Sequence, residues 1–171
     1  MKARLIHLLA CLCLLAPGIA EARGTAACDF LSKSDVENVT GKPVISVRQQ
    51  PLNICAGLCE STNGTQCQFK DRNSNSLALD LYWPPYALGD WVATYRKIDR
   101  SDRHAQTADI SDLGAPALWS YRRDRAYGVL RIIDGDRVHF AIRLQGENKG
   151  DVALANARAL ATLVLARLRA K

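Results

Sequence analysis

Past its N-terminus the 171-residue chain has no long hydrophobic run. After Leu15 no charge-free segment approaches the roughly 20 apolar residues that a bilayer-spanning helix needs, so no later part of the chain is expected to cross a membrane. Histidine is scarce as well, with three in the whole chain: His7, His104 and His139. There is no Gly-x-Ser-x-Gly, no His-Glu-x-x-His and no glycine-rich phosphate loop. The motifs of serine hydrolases, helical zinc proteases and P-loop nucleotide binders are therefore missing. Internal repeats and a composition-marked linker are also absent, which points to a single domain. Net charge is only +6, below what a dedicated nucleic-acid binder carries.

What is there begins with a three-zone leader. Lys2 and Arg4 precede an apolar stretch from Leu5 to Leu15, interrupted by His7, and Pro17-Gly18 is followed by the small-x-small site Ala20-Glu21-Ala22. A charged end, a short apolar core and a cleavage site define a secretory signal peptide over residues 1–22. Residues 23–171 then form the mature protein, expected in the periplasm or outside the cell. Lys2, Arg4 and Glu21 leave with the leader, so +6 falls to +5. Leu8-Leu9-Ala10-Cys11 resembles a lipidation box, but cleavage there would cut inside the apolar run. Cys28 follows Ala26-Ala27 but is separated from that run by Glu21 and Arg23.

Cys11 and Cys13 belong to the leader, and Cys28, Cys55, Cys59 and Cys67 remain. An even number of cysteines in an oxidising compartment argues for two disulfides, with three possible pairings. Cys67 alternates onto the same strand face as Phe69, and Cys28 lies at the foot of the first helix. Cys55 and Cys59 are close in sequence, around Gly57. The pairing expected is Cys28–Cys67 with Cys55–Cys59. A zinc site on Cys55, Cys59 and Cys67 lacks a nearby histidine, so neither metal nor cofactor is expected.

The patterning predicts α-β-β-β-α-β-β-β-α, an α+β fold with one antiparallel sheet of about 5–6 strands and N-terminal, middle and C-terminal helices packed on it. Ser32 or Ser34 caps the first helix, Asp35 and Glu37 suit its positive end, and Gly41 ends it. Strands follow at Val44–Arg48, Thr65–Lys70 and Leu77–Trp83, the last with Leu77, Leu79, Leu81 and Trp83 on one face. Leu88, Trp91, Val92 and Tyr95 recur at helical spacing. Residues 99–112 are polar and charged and are predicted to be a loop, with a strand after them at Ala117–Arg122. Tyr127–Ile133 and Arg137–Gln145 flank Asp134-Gly135-Asp136, a hairpin whose burial pattern selects a three-residue loop with Ile132 opposite Val138. The last helix is predicted from Asp151, as cap, to Arg169.

That hairpin register sets Arg131, Arg137, His139 and Arg143 together on the side opposite the core. Guanidinium groups in a row suit phosphate or carboxylate ligands, and the same row also suits a solvated sheet face. The expectation is an exported, non-enzymatic binding or accessory protein of the cell envelope. It would recognise an anionic envelope component or an acidic protein as a monomer, with no nucleic acid partner. Trp83 and Tyr86, flanking Pro84-Pro85, form a second candidate surface. The alternatives are a periplasmic immunity or inhibitor protein, and a small hydrolase using carboxylates such as Asp80, Asp90, Asp109 or Asp112, of which no spacing singles out a pair.

The opening of the mature chain, with Cys28, Phe30, Leu31, Ser32, Asp35, Val36, Gly41, Pro43 and Val44, resembles that of small exported bacterial proteins and lipoproteins carrying a domain of unknown function. Cys67-Gln68-Phe69 matches the second cysteine of that pattern, and Leu113-Gly114-Ala115-Pro116-Ala117 resembles its late apolar-glycine run. The resemblance implies a compact α+β fold and no particular activity. Cys55 and Cys59 have no counterpart in the pattern.

Overall fold

The computed structural model describes residues 26–52, 64–83, 89–135 and 138–171. The leader, Cys55, Cys59, Tyr86 and Arg137 lie outside these residues. Seven strands form one antiparallel sheet: β1 (Val44–Pro51), β2 (Gly64–Asp71), β3 (Ser76–Tyr82), β4 (Ala105–Ile110), β5 (Ala117–Arg122), β6 (Tyr127–Asp134) and β7 (Val138–Gln145), in the spatial order β1-β2-β3-β7-β6-β5-β4. Three helices accompany it, α1 (Lys33–Thr40), α2 (Gly89–Ser101) and α3 (Gly150–Arg169). The α+β class and the single antiparallel sheet are as predicted, with one strand more. That strand is β4, inside the stretch predicted to be a loop. Gln106 to Asp109, polar apart from Ala108, are exposed on both faces, so no alternation of burial marks them. Pairing to β5 at the sheet edge makes them a strand.

One face of the sheet carries the main core. Cys67, Phe69, Leu79, Leu81, Leu130, Ile132, Phe140 and Ile142 are buried there beneath α1 and α3. Alanines at 153, 157 and 161, all fully buried, let α3 lie close to β6 and β7. Ser32 caps α1 by accepting from the Asp35 amide, and Asp35 returns the contact to the Ser32 amide. Gly41 ends the helix at φ 66°, in the left-handed region that glycine adopts without a Cβ clash. Arg167 grips this N-terminal unit from the far end of α3. Its guanidinium donates to both Asp35 oxygens and to the Phe30 carbonyl, and holds the Asp35 carboxyl well below the usual carboxylate range. Cys28 is bonded to Cys67, so the segment before α1 is stapled to β2.

Two details of the predicted patterning shift. In the last hairpin Ile132 pairs with Phe140 and Asp134 with Val138, two positions from the predicted register. A shift of two preserves faces, which is why the inward set is still Leu130, Ile132, Val138, Phe140 and Ile142. The last helix begins at Gly150 after Lys149, and Asp151 sits in its first turn without acting as the cap.

Candidate functional site

The second face of the sheet carries the residues of interest. Register places Gln50, Gln66, Asp80, Ala141 and Arg131 on it in one row, and Arg48, Gln68, Ala78, Arg143 and Val129 in the next. It divides into two unlike halves.

The half formed by β4, β5, β6 and the start of β7 is covered by α2. Tyr95 of α2 lies under the Arg131 guanidinium, 4.2 Å from its carbon to the ring centre, and Asp99 of α2 accepts from Arg131 at 2.9 Å. Arg96 donates to Asp109 of β4 at 2.7 Å. Leu118, Val129 and Ala141 are buried on this face. His139 is 3 % exposed, stacked on Tyr82 at 4.9 Å and tilted to Tyr95 at 5.8 Å. Burial, reinforced by the like charge of Arg131, lowers the His139 pKa to about 4.

These contacts correct the expectation that Arg131, His139 and Arg143 project together into solvent. Alternation alone implies a sheet facing water on one side; α2 instead covers half of it. His139 is a neutral packing residue at physiological pH and adds no charge just below neutrality. Arg131 is already paired. Trp83 packs at the core edge, 6.3 Å from the Phe30 ring.

The other half, over β1, β2, β3 and the end of β7, shows a polar hollow of about 330 Å³. Its floor is Ala78, whose short side chain sits between its cross-strand partners Gln68 and Arg143. Its walls include Gln50, Gln66, Gln68, Ser76, Tyr127 and Gln145. Beneath the wall runs a chain of hydrogen bonds. Gln50 Nε2 donates to Gln66 Oε1 at 2.6 Å, Gln66 Nε2 donates to Asp80 Oδ1 at 2.7 Å, and an Arg143 Nη donates to the same oxygen at 2.9 Å. Arg143 Nε approaches Asp80 Oδ2 at 2.7 Å. Asp80 is 2 % exposed and Gln66 is 4 % exposed. Burial alone would lower the Arg143 pKa; the adjacent Asp80 carboxylate outweighs it and raises the pKa instead. The Tyr82 hydroxyl, pushed up by burial first and by Asp80 second, stays protonated.

Of the described members of the predicted basic row, only Arg143 reaches this hollow, where Asp80 neutralises it. Gln50, Gln66, Gln68 and Asp80 were missed as a group. The visible signal was the face opposite Cys67 and Phe69, where Gln66 and Gln68 alternate, and the lone carboxylate inside Leu77-Ala78-Leu79-Asp80-Leu81. Of the carboxylates considered for hydrolysis, the Asp90 side chain lies outside the described residues, and Asp80, Asp109 and Asp112 each pair with a different arginine, Arg143, Arg96 and Arg158. Among the described residues no cluster of three histidine, cysteine or acidic side chains could hold a metal ion, and no helix is long and apolar enough to cross a membrane. No known protein family matches the chain, and no curated protein matches it.

Proposed function

We propose that this is an exported, non-enzymatic binding protein of the cell envelope that recognises an anionic partner through the half of its second sheet face that no described helix covers. The observation that carries the reading is the contrast between the two halves. Under α2 the cation Arg131 is neutralised by Asp99. On the open half, Arg48 and Lys70 are exposed beside a ready-made polar hollow. Arg48 is the cross-strand partner of Gln68, and Lys70 of Ser76, both lining residues. Neither cation has an ion-pair partner among the described residues. The leader over residues 1–22 and the Cys28–Cys67 bond support an exported protein, because disulfides persist in oxidising compartments.

Exposed cations attract through a screened field with a reach of about 8–10 Å at ordinary salt. Retention of the mature protein on anionic envelope material is therefore expected at low salt and lost as salt rises. Arg48→Glu with Lys70→Glu, two exposed positions, should abolish retention while leaving the circular dichroism spectrum unchanged. Undiminished retention of that double variant refutes the surface. Intact mass of the exported protein checks the compartment, with loss of residues 1–22 expected.

A further inference from the structure

Building on the anionic-binding reading, the geometry points to a ligand class: an acidic polysaccharide, one sugar ring seated in the hollow over Ala78 and its charged groups against Arg48 and Lys70.

The floor of the hollow argues for a ring that carries hydroxyls. Asp80 and Arg143 form an ion pair there at 2.7–2.9 Å, so the centre has no surplus charge for a bare phosphate or carboxylate. The walls are amides. Gln68 and Gln145 each bring an acceptor oxygen and a donor nitrogen side by side, Gln66 is taken up at both ends by the relay, and Ser76 adds a hydroxyl. Neighbouring sugar hydroxyls, each both donor and acceptor, are the matching partner.

The hollow is also held ready. The relay from Gln50 through Gln66 to Asp80 fixes which way the two amides point. A set orientation lowers the ordering cost of binding. A merely solvated sheet face has no need of such a relay, nor of a glutamine that is 4 % exposed over a carboxylate that is 2 % exposed. Tyr127 gives one aromatic wall against which the apolar edge of a ring can lie. The volume, about 330 Å³, is at the lower end of the roughly 300–1,000 Å³ of small-ligand sites. That suits a single ring of a longer chain.

Charge enters from the rim. Arg48 and Lys70 stand one strand spacing, about 5 Å, from lining residues. A polymer with one acid per ring would set its carboxylates on these cations while a ring occupies the hollow. A lipid surface would meet the rim alone and leave the hollow empty.

The test titrates the mature, disulfide-bonded protein with three probes: a galacturonate oligosaccharide, a neutral oligosaccharide of the same length, and phosphatidylglycerol vesicles. The expected result is tightest binding to the acidic oligosaccharide. Gln68→Leu with Ser76→Ala should weaken it at least tenfold and leave its salt dependence unchanged. Arg48→Glu with Lys70→Glu should weaken it and flatten the salt dependence. Unaltered affinity of the Gln68→Leu/Ser76→Ala protein for the acidic oligosaccharide overturns the sugar seat. So does vesicle binding that equals oligosaccharide binding and ignores the hollow; in both cases the electrostatic reading survives. Absence of any binding at low salt, to oligosaccharide and vesicle alike, removes both.

Discussion

Removing Arg143 should harm this protein more than removing the carboxylate it pairs with. The Asp80 side chain is 3 % exposed and the Arg143 side chain 35 % exposed. Take away the arginine, as in Arg143→Met, and a buried carboxylate keeps only the Gln66 amide and a 3.4 Å contact from the Tyr82 hydroxyl. Stranding one member of a buried ion pair costs about 3–5 kcal/mol. The surviving Gln66 bond and the partial solvation of the pair place this case near the lower end, at about 3 kcal/mol. Asp80→Asn instead leaves an arginine that can turn to water, and the amide still accepts from Gln66; about 1–2 kcal/mol is expected. The apolar double replacement, Asp80→Leu with Arg143→Met, strands no charge and leaves only the buried Gln66 amide without its acceptor; about 1–3 kcal/mol is expected, no more than for Arg143→Met alone. For a domain of this size the single arginine loss corresponds to a fall of roughly 6–12 °C in Tm. Urea unfolding followed by tryptophan fluorescence measures all three. The reasoning is refuted if Arg143→Met costs less than about 1 kcal/mol, or if Asp80→Asn costs more than Arg143→Met.

Three further outcomes follow from other parts of the fold. Cys28→Ser should cost about 3–4 kcal/mol in the chain-entropy picture, because the bond closes a separation of 39 residues; non-reducing peptide mapping must link Cys28 to Cys67. His139 has a folded pKa of about 4 against 6.5 unfolded, so the unfolded chain binds the extra proton between those values. Its contribution is complete above about pH 6.5 and is lost as pH falls toward 4, about 3 kcal/mol at most; the groups facing it are Tyr82, Tyr95 and Arg131. The pH dependence of unfolding should flatten across that window in His139→Phe, and a slope equal to the parent's contradicts the burial. Gly128→Val should cost upward of about 2 kcal/mol, since a Cβ there would collide with the Trp119 ring; an unchanged urea midpoint excludes that packing.

Much of this fold was written in local pattern. Alternation in Leu77-Ala78-Leu79 and in Val138–Leu144 marks strands whatever surrounds them, because a strand's side chains must alternate between faces. Ser32, Asp35 and Gly41 bound a helix through hydrogen bonds and a backbone conformation that involve only near neighbours. The inward set of the last hairpin survived a two-position error in register for the same reason. A chain segment also reveals which of its residues share a face, which is how Arg131, His139 and Arg143 were grouped.

Tertiary structure alone decided what covers that face. Alternation distinguishes two sides of a strand but does not say that α2 lies over one of them, burying His139 and setting Asp99 and Tyr95 on Arg131. β4 became a strand only because β5 offered it an edge. The hollow over Ala78 needed five strands brought side by side, with Gln50, Gln66, Asp80, Arg143 and Tyr127 drawn from positions up to 93 residues apart. Short-range sterics and hydrogen bonding set the elements and their faces. Partnering across the sheet, a long-range matter of burial and charge compensation, decided which cations are spent and which stand free.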